Sequence, residues 1–328
     1  MTRCDTGGTC RIADVMDVKS APRAMVRDKT IFGPLLRRLA TLPETIVVIA
    51  TVLAVGGAAV WNLDVGLRFK SPIDHTLLLP ALFLVIALVY VTARPGPKIA
   101  EAAFYIAMWQ LFSLGTERLS YLGIALHYNL QDANFAAADR ALGLDWLAWR
   151  QFVVARPWLV TLHNVVYPSF IVQPLVLCFA AAFLLPRRRN AEIFMALVVA
   201  SIITLVVNAR FPAVGPGEAL GIASEQGPVI EMLRASPTAQ TLPYAGLVSM
   251  PSFHAIMALL MVYGMRGMRF LFPATVVLNS LMLAAVPLGG NHYFVDVLGG
   301  VATCGVAILV ARALVPSRLR ASAPAGAP

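Results

Sequence analysis

Apolar residues run through this chain in long blocks rather than at the spaced positions of a soluble fold. Eight blocks approach the length of a bilayer: residues 44–62, 75–93, 98–117, 158–185, 191–209, 252–265, 270–288 and 292–314. A membrane helix takes about 20 mostly apolar residues, each rising about 1.5 Å across a core of about 30 Å. The pattern therefore predicts an all-α, polytopic membrane bundle of about eight transmembrane helices. The sixth block is short and starts after Pro251; the third carries Gln110 and ends at Glu117. No internal repeat stands out.

Composition narrows the alternatives. The 328 residues are 59% hydrophobic and 13% charged, against about a quarter charged in a soluble domain. Half the usual charge cannot coat a water-facing surface of this size, and disorder requires low hydrophobicity. The net charge of +9 would raise the question of nucleic acid in a soluble protein. Here the basic residues cluster between apolar blocks, as in Arg94 with Lys98, Arg187 to Arg189, and Arg266 with Arg269. With eight spans every such cluster falls on the side of the basic N-terminal region. The lysine and arginine bias makes that side cytoplasmic. The expectation is a multi-pass protein of the cell membrane with both termini inside, membrane lipids around it and no nucleic-acid partner.

Residues 1–43 read as a cytoplasmic tail with a short surface helix near Ile31–Leu42, and lack the layout of a signal peptide. Residues 44–117 form N-terminal transmembrane helices, 118–314 a membrane domain that carries the chemistry, and 315–328 a cytoplasmic C-terminal tail. The four cysteines, Cys4, Cys10, Cys178 and Cys304, show neither zinc spacing nor a disulfide framework. Two segments on the outer side are long. Residues 118–157 mix Asp132, Asp139, Arg140 and Asp145 with Trp146, Trp149 and Phe152, which predicts helices lying at the interface. Residues 210–251 are rich in Gly and Pro, a functional loop or a passive connector.

Among five histidines (His75, His127, His163, His254 and His292), two open apolar blocks on the same outer side. His254 lies in MPSFHAIMAL and His292 in GGNHYFVDVLGG, with Asp296 four residues on and expected to share a helix face with His292. An ionisable residue inside a span is costly and is a functional candidate. A carboxylate accepting the Nδ1 proton of His292 would make Nε2 nucleophilic, and His254 could protonate a leaving oxygen. This suits phosphoryl transfer through a phosphohistidine with no metal and no cofactor. Arg210, Ser252 and backbone N–H groups at the helix starts are candidate phosphate ligands, with Gly289 and Gly290 permitting close backbone approach. Other readings stand beside this one. His254 could be a cap, the His292/Asp296 pair a structural hydrogen bond, and the three side chains a facial triad for iron. A transporter or flippase could use the same residues for proton coupling, although their clustering at helix ends on one face disfavours it.

PSFHAIMA resembles the P-S-x-H-x-x-x-A motif of the type-2 phosphatidic acid phosphatase superfamily, and GGNHYFVDVLGG its H-x-x-x-D motif followed by glycine. The stretches DRALGLDWLAWRQFVVARPWL, YPSFIVQP and NARFPAVGPGEA are similar to the inositol phosphorylceramide synthase-like branch. The resemblance covers roughly residues 130–310. It implies a six-helix phosphatase-type core and a metal-independent lipid phosphatase or inositolphosphotransferase with a lipid phosphate or phospholipid substrate. It implies His292 as nucleophile, Asp296 as its orienting carboxylate, His254 as general acid and Ser252 in the phosphate pocket. Two features depart from the common phosphatase pattern. Ala285 and Val286 stand where Ser-Arg precedes the nucleophile, and the strict Lys-x6-Arg-Pro motif is missing, with NARFP nearby. Arg210 is then the candidate for phosphate contact; His163 and Tyr167 are candidate cavity-lining residues, with His163 as a satisfied histidine inside the bundle the alternative.

Overall fold

Long runs of Leu, Val, Ala and Ile satisfy every backbone group within one segment when they coil, the one economical state for such runs out of water. The punctuation between them comes from proline and glycine. In the computed structural model, which describes residues 42–69, 73–186, 188–222, 226–235, 241–242 and 246–315, nearly every apolar block is helical. The helices are α1 (Leu42–Val65), α2 (Ile73–Thr92) and α3 (Pro97–Ile124), the last opening with a proline at its first turn behind Gly96. Next come three short helices, α4 (Asp132–Ala141), α5 (Trp146–Val154) and α6 (Pro157–Val166). A 3-10 turn, Tyr167–Ile171, leads to α7 (Gln173–Leu184) and then α8 (Arg188–Arg210). After α9 (Pro216–Ala219) and α10 (Gly227–Ala235) come α11 (Phe253–Met265), α12 (Leu271–Ala285), a second 3-10 turn (Val286–Gly289) and α13 (Phe294–Leu314). Two parallel two-residue strands, β1 (Arg68–Phe69) and β2 (Thr241–Leu242), pair Arg68 with Thr241 and Phe69 with Leu242. The tails, the helix near Ile31–Leu42 as far as residue 41, and residues 316–328 lie outside the described residues.

Among the described residues four helices are long and apolar enough to cross a membrane: Glu44–Val65, Arg188–Arg210, Leu271–Gly289 and Phe294–Leu314. A fifth span results if the bent pair Pro157–Ile171 and Gln173–Leu184 is counted as one. The apolar helices Leu77–Thr92 and Phe253–Met265 are shorter. The fourth block, expected as a single span, is instead broken by 52°. Pro168 and Pro174 account for the break, since each lacks an N–H and crowds the preceding turn. The third block runs on past Glu117 to Ile124.

The main core lies between α1, α3, α7, α8, α11 and α13. Phe194 of α8 is its aromatic centre, with the rings of Tyr105, Trp109 and Phe112 of α3 at 6.3, 6.3 and 5.5 Å. A second cluster joins Tyr121, Leu122 and Ile124 at the end of α3 to Ile230 and Leu233 of α10. The outer faces are apolar instead of charged: Leu53, Leu63, Leu82, Val277 and Leu309 are all more than half exposed. A continuous apolar exterior of this kind fits acyl chains and not water. Cys178 and Cys304 are buried free thiols inside the bundle.

Candidate functional site

The site forms where α11 and α13 begin side by side. Gly300 sets their spacing, because a Cβ there would stand 2.6 Å from the Ser252 carbonyl and 2.8 Å from the Ala255 Cβ. The Ser252 N–H donates to the Asp296 carbonyl at 2.9 Å, tying one helix start to the other. Ser252 is fully buried and caps α11, its Oγ accepting from the Ala255 N–H at 3.4 Å. Two residues on, His254 lies with its ring centroid 5.7 Å from that of His292, the planes at 73°. The pair expected from the two motifs is therefore brought together.

His292 is buried and precedes the helix, with Tyr293 in the capping position of α13. Its Nδ1 is 3.1 Å from the carbonyl oxygen of Ser249 and 3.7 Å from Asp296 Oδ2. The expected direct hydrogen bond to the carboxylate is not formed. Asp296 stands in the first turn of α13, where helix N-terminal N–H groups compete for it. Its Oδ2 accepts from the Tyr293 N–H at 2.8 Å and from Ser249 Oγ at 2.9 Å, while Oδ1 has no hydrogen-bond partner. A carbonyl can only accept, so the contact to Ser249 puts the proton on His292 Nδ1 and the lone pair on Nε2.

His254 sits in an aromatic enclosure supplied by the broken span. The Tyr167 ring stacks on it at 4.3 Å and the Phe170 ring meets it edge-on at 4.5 Å. Tyr167 Oη is 3.3 Å from His254 Nδ1, and His254 Nε2 is buried with no hydrogen-bond partner. His163 continues the column, its ring stacked on Tyr167 at 5.1 Å.

Several residues that hold this geometry carry no motif signal. Asn208 of α8 grips the loop segment bearing Ser249, giving a hydrogen bond to the Leu247 carbonyl at 3.1 Å and taking one from the Ser249 N–H at 3.0 Å. Asp139 of α4 accepts from the N–H groups of Phe294 and Val295 at 3.0 and 2.8 Å, capping α13 from another helix. Burial raises its carboxyl above the ordinary range, the two N–H groups acting against this and the nearby Asp296 charge adding to it. Asp132 accepts from the Val214 and Gly215 N–H groups and from the Tyr293 hydroxyl. A seven-residue spacing puts both aspartates on one face of α4, and that spacing is the signal that could have found them.

The other phosphate-ligand candidates have the following surroundings. Gly290 has φ 82° and packs against the loop that follows α8. Its carbonyl accepts from the Gly217 N–H at 2.9 Å, and a Cβ on Gly215 would stand 2.6 Å from that oxygen. Gly289 has open space beside it. The Arg210 side chain is exposed and lies over the rings of Tyr128 and Phe211 at 4.9 and 5.4 Å, with no ring contact or hydrogen bond to either histidine. Val286, at the position of the superfamily's arginine, is fully buried among Val166, Ala258 and Met282. Among the described residues no three His, Cys, Asp or Glu side chains form a metal-binding group.

A helical bundle with membrane-length apolar helices, closed at one end around two facing histidines and a buried carboxylate, defines the class. The chain belongs to the PAP2 superfamily, whose family model matches residues 133–310, more than half of the 328. That membership points to phosphatase or phosphotransferase activity on a lipid phosphate. No curated protein and no solved structure matches the chain.

Proposed function

We propose that the protein is a metal-independent integral membrane phosphotransferase or phosphatase that cleaves a lipid phosphoester through a phosphohistidine on His292. One observation carries the reading: His292 Nδ1 is engaged by a carbonyl that can only accept, and the ring faces a second histidine whose Nε2 is unpartnered. The lone pair of His292 Nε2 attacks phosphorus and the bond to the lipid alcohol oxygen breaks. His254 Nε2 delivers its proton to that oxygen. His254 then takes a proton from an acceptor hydroxyl, whose oxygen bonds to phosphorus as the P–N bond breaks. With water as acceptor the enzyme is a phosphatase; with a lipid or polyol hydroxyl it is a transferase.

The carboxylate of Asp296, 3.7 Å from Nδ1, offsets the positive charge that His292 gains on phosphorylation. Tyr167 Oη accepts the Nδ1 proton of His254, so that Nε2 is the nitrogen that exchanges protons in both half-reactions. Ser252, Arg210 and Gly290 stand as phosphate-contact candidates. The similarity of YPSFIVQP and NARFPAVGPGEA to the inositol phosphorylceramide synthase-like branch favours the transferase with an inositol-phosphate headgroup. In a cell the reading has eight spans across the membrane, a six-helix phosphatase-type core among them, and the catalytic membrane domain in residues 118–314. The termini lie inside and the histidines at the outer face.

The deciding experiment incubates the purified protein with labelled lipid phosphates and phospholipids, with and without a hydroxyl-bearing acceptor, and identifies the products. A new phosphodiester formed only with the acceptor selects the transferase; free phosphate or a released headgroup phosphate selects the phosphatase. Turnover persists in excess chelator, and loss restored by added metal contradicts the reading.

A further inference from the structure

The opposite end of the bundle holds a second cluster of charge. Helix α8 begins with Arg188 and Arg189, and Arg266 follows the last residue of α11. From Arg188 to Asn208 the helix climbs about 30 Å, so the cluster and the histidines are separated by about the thickness of a bilayer core. Among the described residues Glu192 is the carboxylate at its centre, while Glu101 accepts from the neighbouring Asn190 Nδ2 at 3.1 Å. Glu192 accepts from the Tyr263 hydroxyl and from Arg266 Nη2 at 2.9 Å, and faces Arg188 Nε at 3.9 Å. Arg266 also donates to the Tyr263 carbonyl and lies 3.4 Å above its ring. Arg188 donates to the Val315 carbonyl at the end of α13.

Arg189 has no such arrangement. Among the described residues its charged neighbours are Arg266, Arg188 and the already engaged Glu192. Its Nη1 is cut off from water and has no hydrogen-bond partner, while the side chain as a whole is half-buried and so still reachable. Among the described residues three guanidinium groups around the Glu192 carboxylate leave positive charge uncompensated, and the Arg189 Nη1 is out of reach of water. Such a charge calls for a counter-ion. A role in membrane orientation alone does not require this burial: Arg94, between α2 and α3, is exposed.

We propose that Arg189, flanked by Arg188 and Arg266, is a binding site for a phosphate group, separate from the histidine site. Two sources present that chemistry at this depth: the headgroup of an anionic phospholipid in the adjoining leaflet, and phosphate in solution.

The test uses the full-length protein, stripped of lipid in detergent. Phosphatidylglycerol and phosphatidylcholine binding is measured by native mass spectrometry, and inorganic phosphate by thermal shift. Phosphatidylglycerol binds and phosphatidylcholine does not. Arg189→Gln weakens phosphatidylglycerol binding by about 5- to 10-fold, while Arg94→Gln leaves it unchanged. A phosphate-induced thermal shift that Arg189→Gln removes identifies the soluble source; its absence, with phosphatidylglycerol bound, identifies the lipid. The proposal is overturned if Arg189→Gln binds both probes as the unmodified protein does, or if Arg94→Gln weakens binding equally, which marks diffuse surface charge. Should the Gln variant fail to fold, Arg189→Lys, which keeps the charge but not the planar fork, loses part of the affinity, and equal binding of the two lipids by the stripped protein rejects the site. Activity at the histidines is unaffected by Arg189→Gln, so failure here and failure of the phosphohistidine reading are told apart.

Discussion

His292 Nδ1 and the Ser249 carbonyl oxygen stand 3.1 Å apart, closer than His292 and the Asp296 carboxylate at 3.7 Å. A main-chain carbonyl thus fixes the tautomer of the proposed nucleophile. The carboxylate caps α13 and supplies negative charge without a direct hydrogen bond to the ring. This arrangement divides orientation from electrostatics, and the two can be separated by substitution.

Asp296→Asn keeps an oxygen for the Tyr293 N–H and removes the charge. The variant folds, and kcat falls on the order of 100-fold with KM little changed. Steady-state kinetics in detergent or vesicles checks this; an Asn variant with ordinary kcat reduces Asp296 to a helix cap.

Tyr167→Phe keeps the ring stacked on His254 and removes the Oη contact at 3.3 Å. Loss of one neutral hydrogen bond corresponds to a fall in kcat of up to about 10-fold. The limb of the pH–rate profile assigned to His254 shifts while KM holds. An unchanged profile denies Tyr167 its positioning role.

Asp139 caps the N-terminus of α13 from α4, so Asp139→Ala leaves the Phe294 and Val295 N–H groups without acceptors. The loss is about 1–2 kcal/mol of stability. Asp139→Asn retains one acceptor and loses less. The carboxyl is raised from 3.8, so the folded protein holds this proton to higher pH than the unfolded chain. Its contribution to stability therefore falls as pH rises from about 3.8 through the folded value. That slope is absent from the Asn variant, and thermal unfolding across acidic pH reads the difference.

Gly300→Val places a Cβ 2.6 Å from the Ser252 carbonyl and forces α11 and α13 apart. The cost is about 1–3 kcal/mol, and turnover falls further than stability because the two histidines ride on the helices being separated. Gly305→Val, with open space beside it, is the matched control. Equal losses in the two variants remove the spacing argument.

The sequence made the bundle legible because uninterrupted apolar blocks have one economical backbone state out of water. It placed His254 and His292 together because each opens a block on the same side. It did not show the break at Tyr167–Ile171 as a working element, since prolines mark a kink without saying which ring will face which histidine. Helical spacing makes Asp296 a direct partner of His292, but His292 lies before the helix, and the cap position captures the carboxylate. Asn208, Ser249, Asp132 and Asp139 act across 39 to 161 residues of chain. Such contacts leave no local spacing to read beyond the seven-residue interval between the two aspartates.

Trapping the covalent intermediate tests the central claim most directly. The protein is mixed with phosphorus-labelled lipid substrate, quenched in base because the P–N bond is acid-labile, and its peptides are mapped. The label is expected on the peptide holding His292, as phosphate or with its headgroup attached, to be absent from His292→Ala, and to build up in His254→Ala when the leaving group needs no proton. Turnover by His292→Ala, or label carried by another residue, contradicts the account.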